Sequence, residues 1–183
     1  MKIAVLNGGG RNDGNTEMLA KRLVEGTDAT WFDLKNYTID AIVDERHDED
    51  GFHSVNDDYD SLMKEVMAHD VLIFATPIYW YSMTASMKLF IDRWSQTMRQ
   101  PEYEDFRERM SGKKAFVTAV GGDQPHTKGL PMIMQFKQIF DFVQLPMEGY
   151  IIGQAHKPGD ILKDVAALDS ADRWNQQFKL SGK

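Results

Sequence analysis

The chain has 183 residues, 42% apolar and 27% charged, which suits one compact domain with a sizeable core and not a disordered segment. It contains no cysteine, so disulfides, thiolate metal sites, cysteine nucleophiles and cysteine-held iron–sulfur clusters are excluded by chemistry. The formal charge of −7 is local: nine acidic residues from Asp40 to Asp60 face Arg46 alone, so that stretch carries −8, the rest carries +1, and no basic stripe suits a nucleic-acid reader.

In chain order, "KIAVLN" at residues 2 to 7 reads as a short buried strand, followed by the glycine-rich "NGGGRNDGNT" and a helix on which Leu19, Ala20, Leu23 and Val24 share a face. Further strands are expected at 28 to 34, 70 to 76, 113 to 120 and 147 to 153. Three-and-four spacing predicts one helix through Tyr59, Leu62, Met63, Val66 and Met67, and another through Met83, Met87, Phe90, Ile91, Trp94 and Met98. A third passes through Phe136, Ile139, Phe140 and Val143, and the last runs from about Ile161 to Phe178 with Asp160 as its cap. The N-terminal apolar run is too brief for a signal-peptide core, and "VLIFATPIYWYSM" is too short to span a bilayer and contains Pro77; no membrane association and a cytoplasmic setting are expected.

Strands that are apolar throughout are expected to be buried on both faces, which implies a parallel sheet covered by helices on both sides, a doubly wound α/β fold. Ligands of such sheets sit beyond the carboxyl ends of the strands, which singles out residues 7 to 16, 76 to 82 and 120 to 129. The acidic connection 40 to 58 reads as a solvated excursion, and its Asp, Glu and His residues match no EF-hand or H-E-x-x-H spacing, so no metal is expected. No G-x-S-x-G hydrolase elbow occurs.

A glycine loop running into a helix N-terminus favours an anion, because unpaired N–H groups and the helix dipole point at it. A dinucleotide fingerprint from Gly8 needs glycine where Asp13 stands, although Asp33 occupies a place open to a ribose-binding acid. A triphosphate loop from Gly9 needs lysine where Asn15 stands. A single phosphomonoester fits better, held by backbone N–H groups, the Thr16 hydroxyl and Arg11. The alternative, a plain tight turn, would not call for Arg, Asn and Thr at these offsets.

"GGGRNDGNT" at 8 to 16 resembles the G-S-P-R-x-x-G-N-T loop of flavodoxin-like NAD(P)H-dependent FMN reductases, and "ATPIYWYSMTASMKLFIDRW" at 75 to 94 is similar to that family's second flavin loop and its helix. "VGGD" at 120 to 123 and "PGDI" at 158 to 161 match its later segments, so the resemblance spans nearly the whole chain. It implies a single flavodoxin-like FMN-binding domain over residues 1 to 183, with a five-stranded parallel sheet in the order 2-1-3-4-5. It further implies two-electron oxidation of NADPH or NADH with transfer to a quinone, free flavin or similar small acceptor.

The site residues so implied are Gly9, Arg11, Asn15 and Thr16 for the phosphate, and Pro77, Ile78, Tyr79 and Trp80 for the ring, with the N–H groups of Ile78, Tyr79 and Trp80 as donors. Gly121, Gly122 and Asp123 lie at the ring's polar edge. No protein acid or base is required, since the flavin carries the chemistry. The family's loop serine is Gly9 here, and the cysteine cluster of the related iron–sulfur flavoproteins is absent. The aromatics at 79 to 81 suit packing in a homodimer or homotetramer as well as flavin contact, while Trp94 and Met98 read as core. The alternative function is a non-enzymatic FMN electron carrier of the flavodoxin type, which the acidic segment would serve by steering a partner protein.

Overall fold

The computed structural model describes residues 1–181. Five parallel strands, β1 (Ile3–Asn7), β2 (Thr30–Asp33), β3 (Val71–Pro77), β4 (Lys114–Gly121) and β5 (Met147–Gln154), form one sheet in the order β2-β1-β3-β4-β5. The register sets Asn7 beside Asp33 and Ala75, Pro77 beside Val120, and Gly121 beside Gln154, so all five strands end along one edge.

Strand side chains alternate between faces, and each face has its own core. Ile3, Val5, Ile73 and Phe116 pack against α1 (Asn15–Leu23) and α8 (Val165–Ser181), with Phe116 and Phe178 rings 5.0 Å apart. Leu6, Leu72, Phe74 and Val117 pack on the other side against α2 (Tyr59–Met67), α3 (Ala85–Asp92), α4 (Trp94–Thr97), α5 (Phe106–Ser111) and α7 (Leu130–Phe142). Between β4 and α7 lies the single turn α6 (Pro125–Lys128). β1, β3 and β4 are buried on both faces, as their apolar sequences require, whereas the edge strands β2 and β5 are only partly covered.

Several elements differ from the expectation. The helix expected across residues 83 to 98 is broken: Thr84 caps α3 by accepting the Met87 N–H at 3.4 Å, and the chain tightens at Arg93, whose carbonyl accepts from both Gln96 and Thr97, before α4 begins. Trp94 is core, as its spacing indicates, and Met98 packs half-buried beside it. α5 and the 3₁₀ turn Pro101–Tyr103 were not foreseen, although Tyr103, Phe106 and Met110 share a helical spacing and are all buried. Asp160 does not cap the last helix. It sits in the 3₁₀ turn Asp160–Lys163, where its carboxylate accepts the Lys157 N–H, while Asp164 caps α8 by accepting the Ala167 N–H at 3.1 Å.

The acidic connection is solvated only in part. Asp57 has a fully buried side chain paired with the equally buried Arg93. Arg93 also donates to the Asp40 carbonyl and the Gln96 side chain, and its guanidinium lies 4.5 Å over the Tyr59 ring. Burial by itself would raise the Asp57 pKa, but the Arg93 guanidinium and the N–H groups of Asp40 and Tyr59 outweigh it and hold the carboxyl below its ordinary value.

Candidate functional site

The loop after β1 is built around Asn7, which is fully buried. Its Nδ2 donates to Asp33 at 2.7 Å and its Oδ1 accepts the Gly9 N–H at 3.0 Å, tying the ends of β1 and β2 to the first turn of the loop. Asp33 is therefore a brace for the loop. Gly8 donates to the Ala75 carbonyl at 2.8 Å, and a Cβ there would lie 2.7 Å from Thr84 Oγ1, so only glycine lets the loop pass the start of α3. A Cβ at Gly9 would meet Asn7 Oδ1 at 3.0 Å, which accounts for glycine where the family's serine would stand: a serine would press on the Asn7 brace.

The loop then enters α1, where Gly14 takes the cap position without a side-chain bond. The backbone N–H groups of residues 10 to 13 and 15 to 17 have no hydrogen-bond partner among the described residues, and Thr16, almost buried, lines the cleft with them. Glu17 in the first turn is paired with Lys21 at 2.7 Å, which limits its cancellation of the helix dipole. Arg11 is exposed and has no ion-pair partner among the described residues. The Asn15 side chain is committed elsewhere: Nδ2 donates to the Lys157 carbonyl at 2.9 Å and Oδ1 accepts the Ile161 N–H at 3.3 Å. It fastens the loop to the turn after β5, and only its backbone N–H remains for a ligand.

The second loop differs from the expectation in its donors. The Ile78 N–H goes to the Val120 carbonyl at 2.9 Å and the Tyr79 N–H to the Ser82 carbonyl at 3.0 Å, leaving the Trp80 N–H as the donor of the three without a partner among the described residues. Ser82 returns a bond to Tyr79, closing a two-residue turn in which Trp80 (φ 49°) and Tyr81 (φ 64°) are both left-handed. Bulky residues in that region carry strain of about 1–3 kcal/mol each, the kind that clusters at functional sites. Trp80 is 94% exposed.

Gly121 ends β4 and Gly122 follows it. Gly122 abuts the His156 ring, since a Cβ there would stand 2.9 Å from Nδ1. Asp123 accepts the Tyr81 hydroxyl at 2.8 Å and Lys128 Nζ at 2.6 Å. The ammonium, and then the phenol, hold its carboxyl below the usual value.

These loops enclose a cleft of about 280 Å³ that brings together Gly9, Arg11, Asn15, Thr16, Pro77, Ile78, Tyr79, Gly121 and Gly122. Trp80 and Asp123 line an adjoining hollow of about 160 Å³. Ala155, His156 and Pro158 complete the cleft wall. Sequence reasoning singled out only the "PGDI" segment there, because nothing local marks a turn as lining a cleft until β5 is paired with β4. The unpartnered N–H groups at one end and the narrow glycine-edged slot at the other fit a phosphate-bearing flat cofactor of the FMN type.

Comparison with known proteins agrees with this geometry. The family described as NADPH-dependent FMN reductase matches residues 1–157. A Bacillus subtilis protein, YwqN, whose name places it with NAD(P)H-dependent FMN-containing oxidoreductases, is 53% identical over 173 residues, covering 94% of this chain and 96% of its own. The solved structure titled Trp Repressor Binding Protein from Bacillus subtilis superposes with a TM-score of 0.79 at 46% identity, covering 94% of this chain and 96% of that one. An NAD(P)H:quinone oxidoreductase from Methanothermobacter marburgensis shares the fold at a TM-score of 0.71 and 16% identity, covering 97% and 98% of the two chains.

Proposed function

Because the chain belongs to the NADPH-dependent FMN reductase family, and is thus an FMN-binding, NAD(P)H-dependent oxidoreductase, we propose that it passes electrons from the nicotinamide to a quinone, free flavin or similar small acceptor. FMN, when bound, supplies the two-electron chemistry. The residues of this chain supply placement. The N–H groups of the glycine loop from Gly9 onward, the Thr16 hydroxyl and Arg11 hold the phosphate, and Asn15 braces the loop against the turn after β5. Pro77, Ile78, Tyr79 and Trp80 flank the ring, and Gly121 and Gly122 let its polar edge approach the backbone, with Asp123 just beyond them.

The observation that carries this reading is the run of unpartnered N–H groups around Thr16, in residues that line one cleft with the second and third loops. A flat conjugated acceptor such as a quinone suits the aromatic residues Trp80 and Tyr81 that line the hollow beside the cleft. A homodimer or homotetramer is proposed from the exposed side chains of Tyr79, Trp80 and Tyr81, to which α7 adds the exposed Leu130 and Met134. Among the described residues no helix is long and apolar enough to cross a membrane, and a cytoplasmic setting is part of the proposal.

Anaerobic mixing of FMN-loaded protein with NADPH or NADH tests the reading. Bleaching of the flavin bands within minutes, and return of colour on adding a quinone, is the expected result. A flavin that dithionite reduces but neither nicotinamide does would overturn it.

A further inference from the structure

The hollow beside the cleft shares Ile78, Gly121 and Gly122 with it, so a ring lying there would adjoin anything held in the slot. Its floor is kept low by glycine: a Cβ at Gly129 would come within 2.6 Å of the Pro125 carbonyl and 2.8 Å of Ile78 Cδ1. Trp80 and Tyr81 line it together with the polar Asp123 and Lys128.

The aromatic turn has no local reason to take this shape. Two-residue left-handed turns favour Asn and Gly, not Trp and Tyr. What holds it comes from elsewhere in the chain. Asp123 Oδ2 accepts both the Tyr81 hydroxyl and Lys128 Nζ, the ammonium lies 5.7 Å from the Tyr81 ring centre, and Ser82 Oγ donates to Gln135 at 3.2 Å. One carboxylate oxygen thus fastens the strained turn to α6. Lys128 keeps N–H groups beyond the one given to Asp123, because an ammonium has three.

We infer that Asp123 is a positioning residue for the second substrate: by holding Tyr81 and Lys128 it shapes the hollow to receive a flat conjugated ring with a carbonyl oxygen at its edge, which Lys128 can meet. The inference rests on the proposed oxidoreductase activity. Both a nicotinamide carboxamide and a quinone carbonyl have this chemistry, and the two substrates of the reaction separate them.

Steady-state kinetics of the FMN-loaded protein with NADPH and menadione, varied in turn, test it in Asp123→Ala, Asp123→Asn and Tyr81→Phe. Exposed charge-assisted contacts of this kind suggest an effect of about fivefold. Asp123→Ala is expected to raise the KM for at least one substrate by that factor, a larger change than in kcat or in the FMN dissociation constant. A raised NADPH KM assigns the hollow to the nicotinamide, a raised menadione KM to the acceptor. Asp123→Asn, which still accepts from Tyr81, should recover part of the loss. Tyr81→Phe keeps the aromatic wall and should share the loss, so the proposal remains testable if Asp123→Ala does not fold. Unchanged KM values for both substrates, or a loss confined to FMN affinity or kcat, would overturn the inference. Failure of NADPH to bleach the unaltered protein would instead remove the activity on which it rests.

Discussion

The two ends of α3 meet polar groups in opposite ways. At its C-terminal end, Arg93 is wholly buried, and Asp57, the Asp40 carbonyl, Gln96 and the Tyr59 ring, all from this chain, surround it. At its N-terminal end, Thr84 packs against Gly8, and the loop that follows carries a series of N–H groups with no partner among the described residues. The contrast has a physical cause. A charge taken out of water must find its partners within the fold, whereas donors facing a wet cleft stay solvated until a ligand replaces the water. The division is one of degree: Arg93 is paired through Nε and Nη1 while its Nη2 stays buried without a partner among the described residues, whereas at the cleft the open groups form a run of backbone donors.

The sharpest way to break the contrast is at the closed end. Arg93→Ala leaves Asp57 buried and uncompensated and should destabilise the protein by about 3–5 kcal/mol, read from denaturant unfolding. The affinity for FMN of the folded fraction should stay close to that of the unaltered chain, since Arg93 does not line the cleft. A comparable loss of FMN affinity would mean that the two ends of α3 are not independent.

The open end should respond the other way. Thr16→Ala combined with Arg11→Ala removes a neutral and a charged hydrogen bond to the phosphate, and should weaken FMN binding by about 2–3 kcal/mol, or about 30- to 150-fold, with little change in unfolding. Riboflavin, which lacks the phosphate, should lose almost nothing, and titration of both flavins provides the check. Equal losses for the two would assign those residues to the ring or to folding.

The smallest effect sharpens the comparison through pH. Asp57 is held below its ordinary value in the folded chain, so it contributes stability that is present above the unfolded carboxyl pKa of about 3.9 and is lost as pH falls through the lower folded value. Thermal melting below about pH 4 should therefore be less steep in Asp57→Asn, which has no proton to take up there. No such difference is expected near pH 7, beyond the constant cost of the lost ion pair.

Local pattern made much of this legible. The apolar runs at 2 to 7, 70 to 76 and 113 to 120 became central strands because a segment apolar at every position has to be covered on both faces. The glycine loop was legible for a similar reason: Gly8 is needed where backbone meets Thr84, and a helix N-terminus after glycines leaves donors open.

Spacing and burial operate within a few residues, and they suffice for the order of elements, the doubly wound fold and the loops that gather at the strand ends. How polar atoms are shared across the chain depends on the assembled fold. Asn15 turned to the Lys157 carbonyl, the Ile78 N–H to Val120, Asp57 to Arg93 and Asp123 to Tyr81 and Lys128. Most of these partners lie dozens of residues apart. A side chain's type limits what it can bond, but which donor reaches it first depends on distances that exist only once the strands are in register.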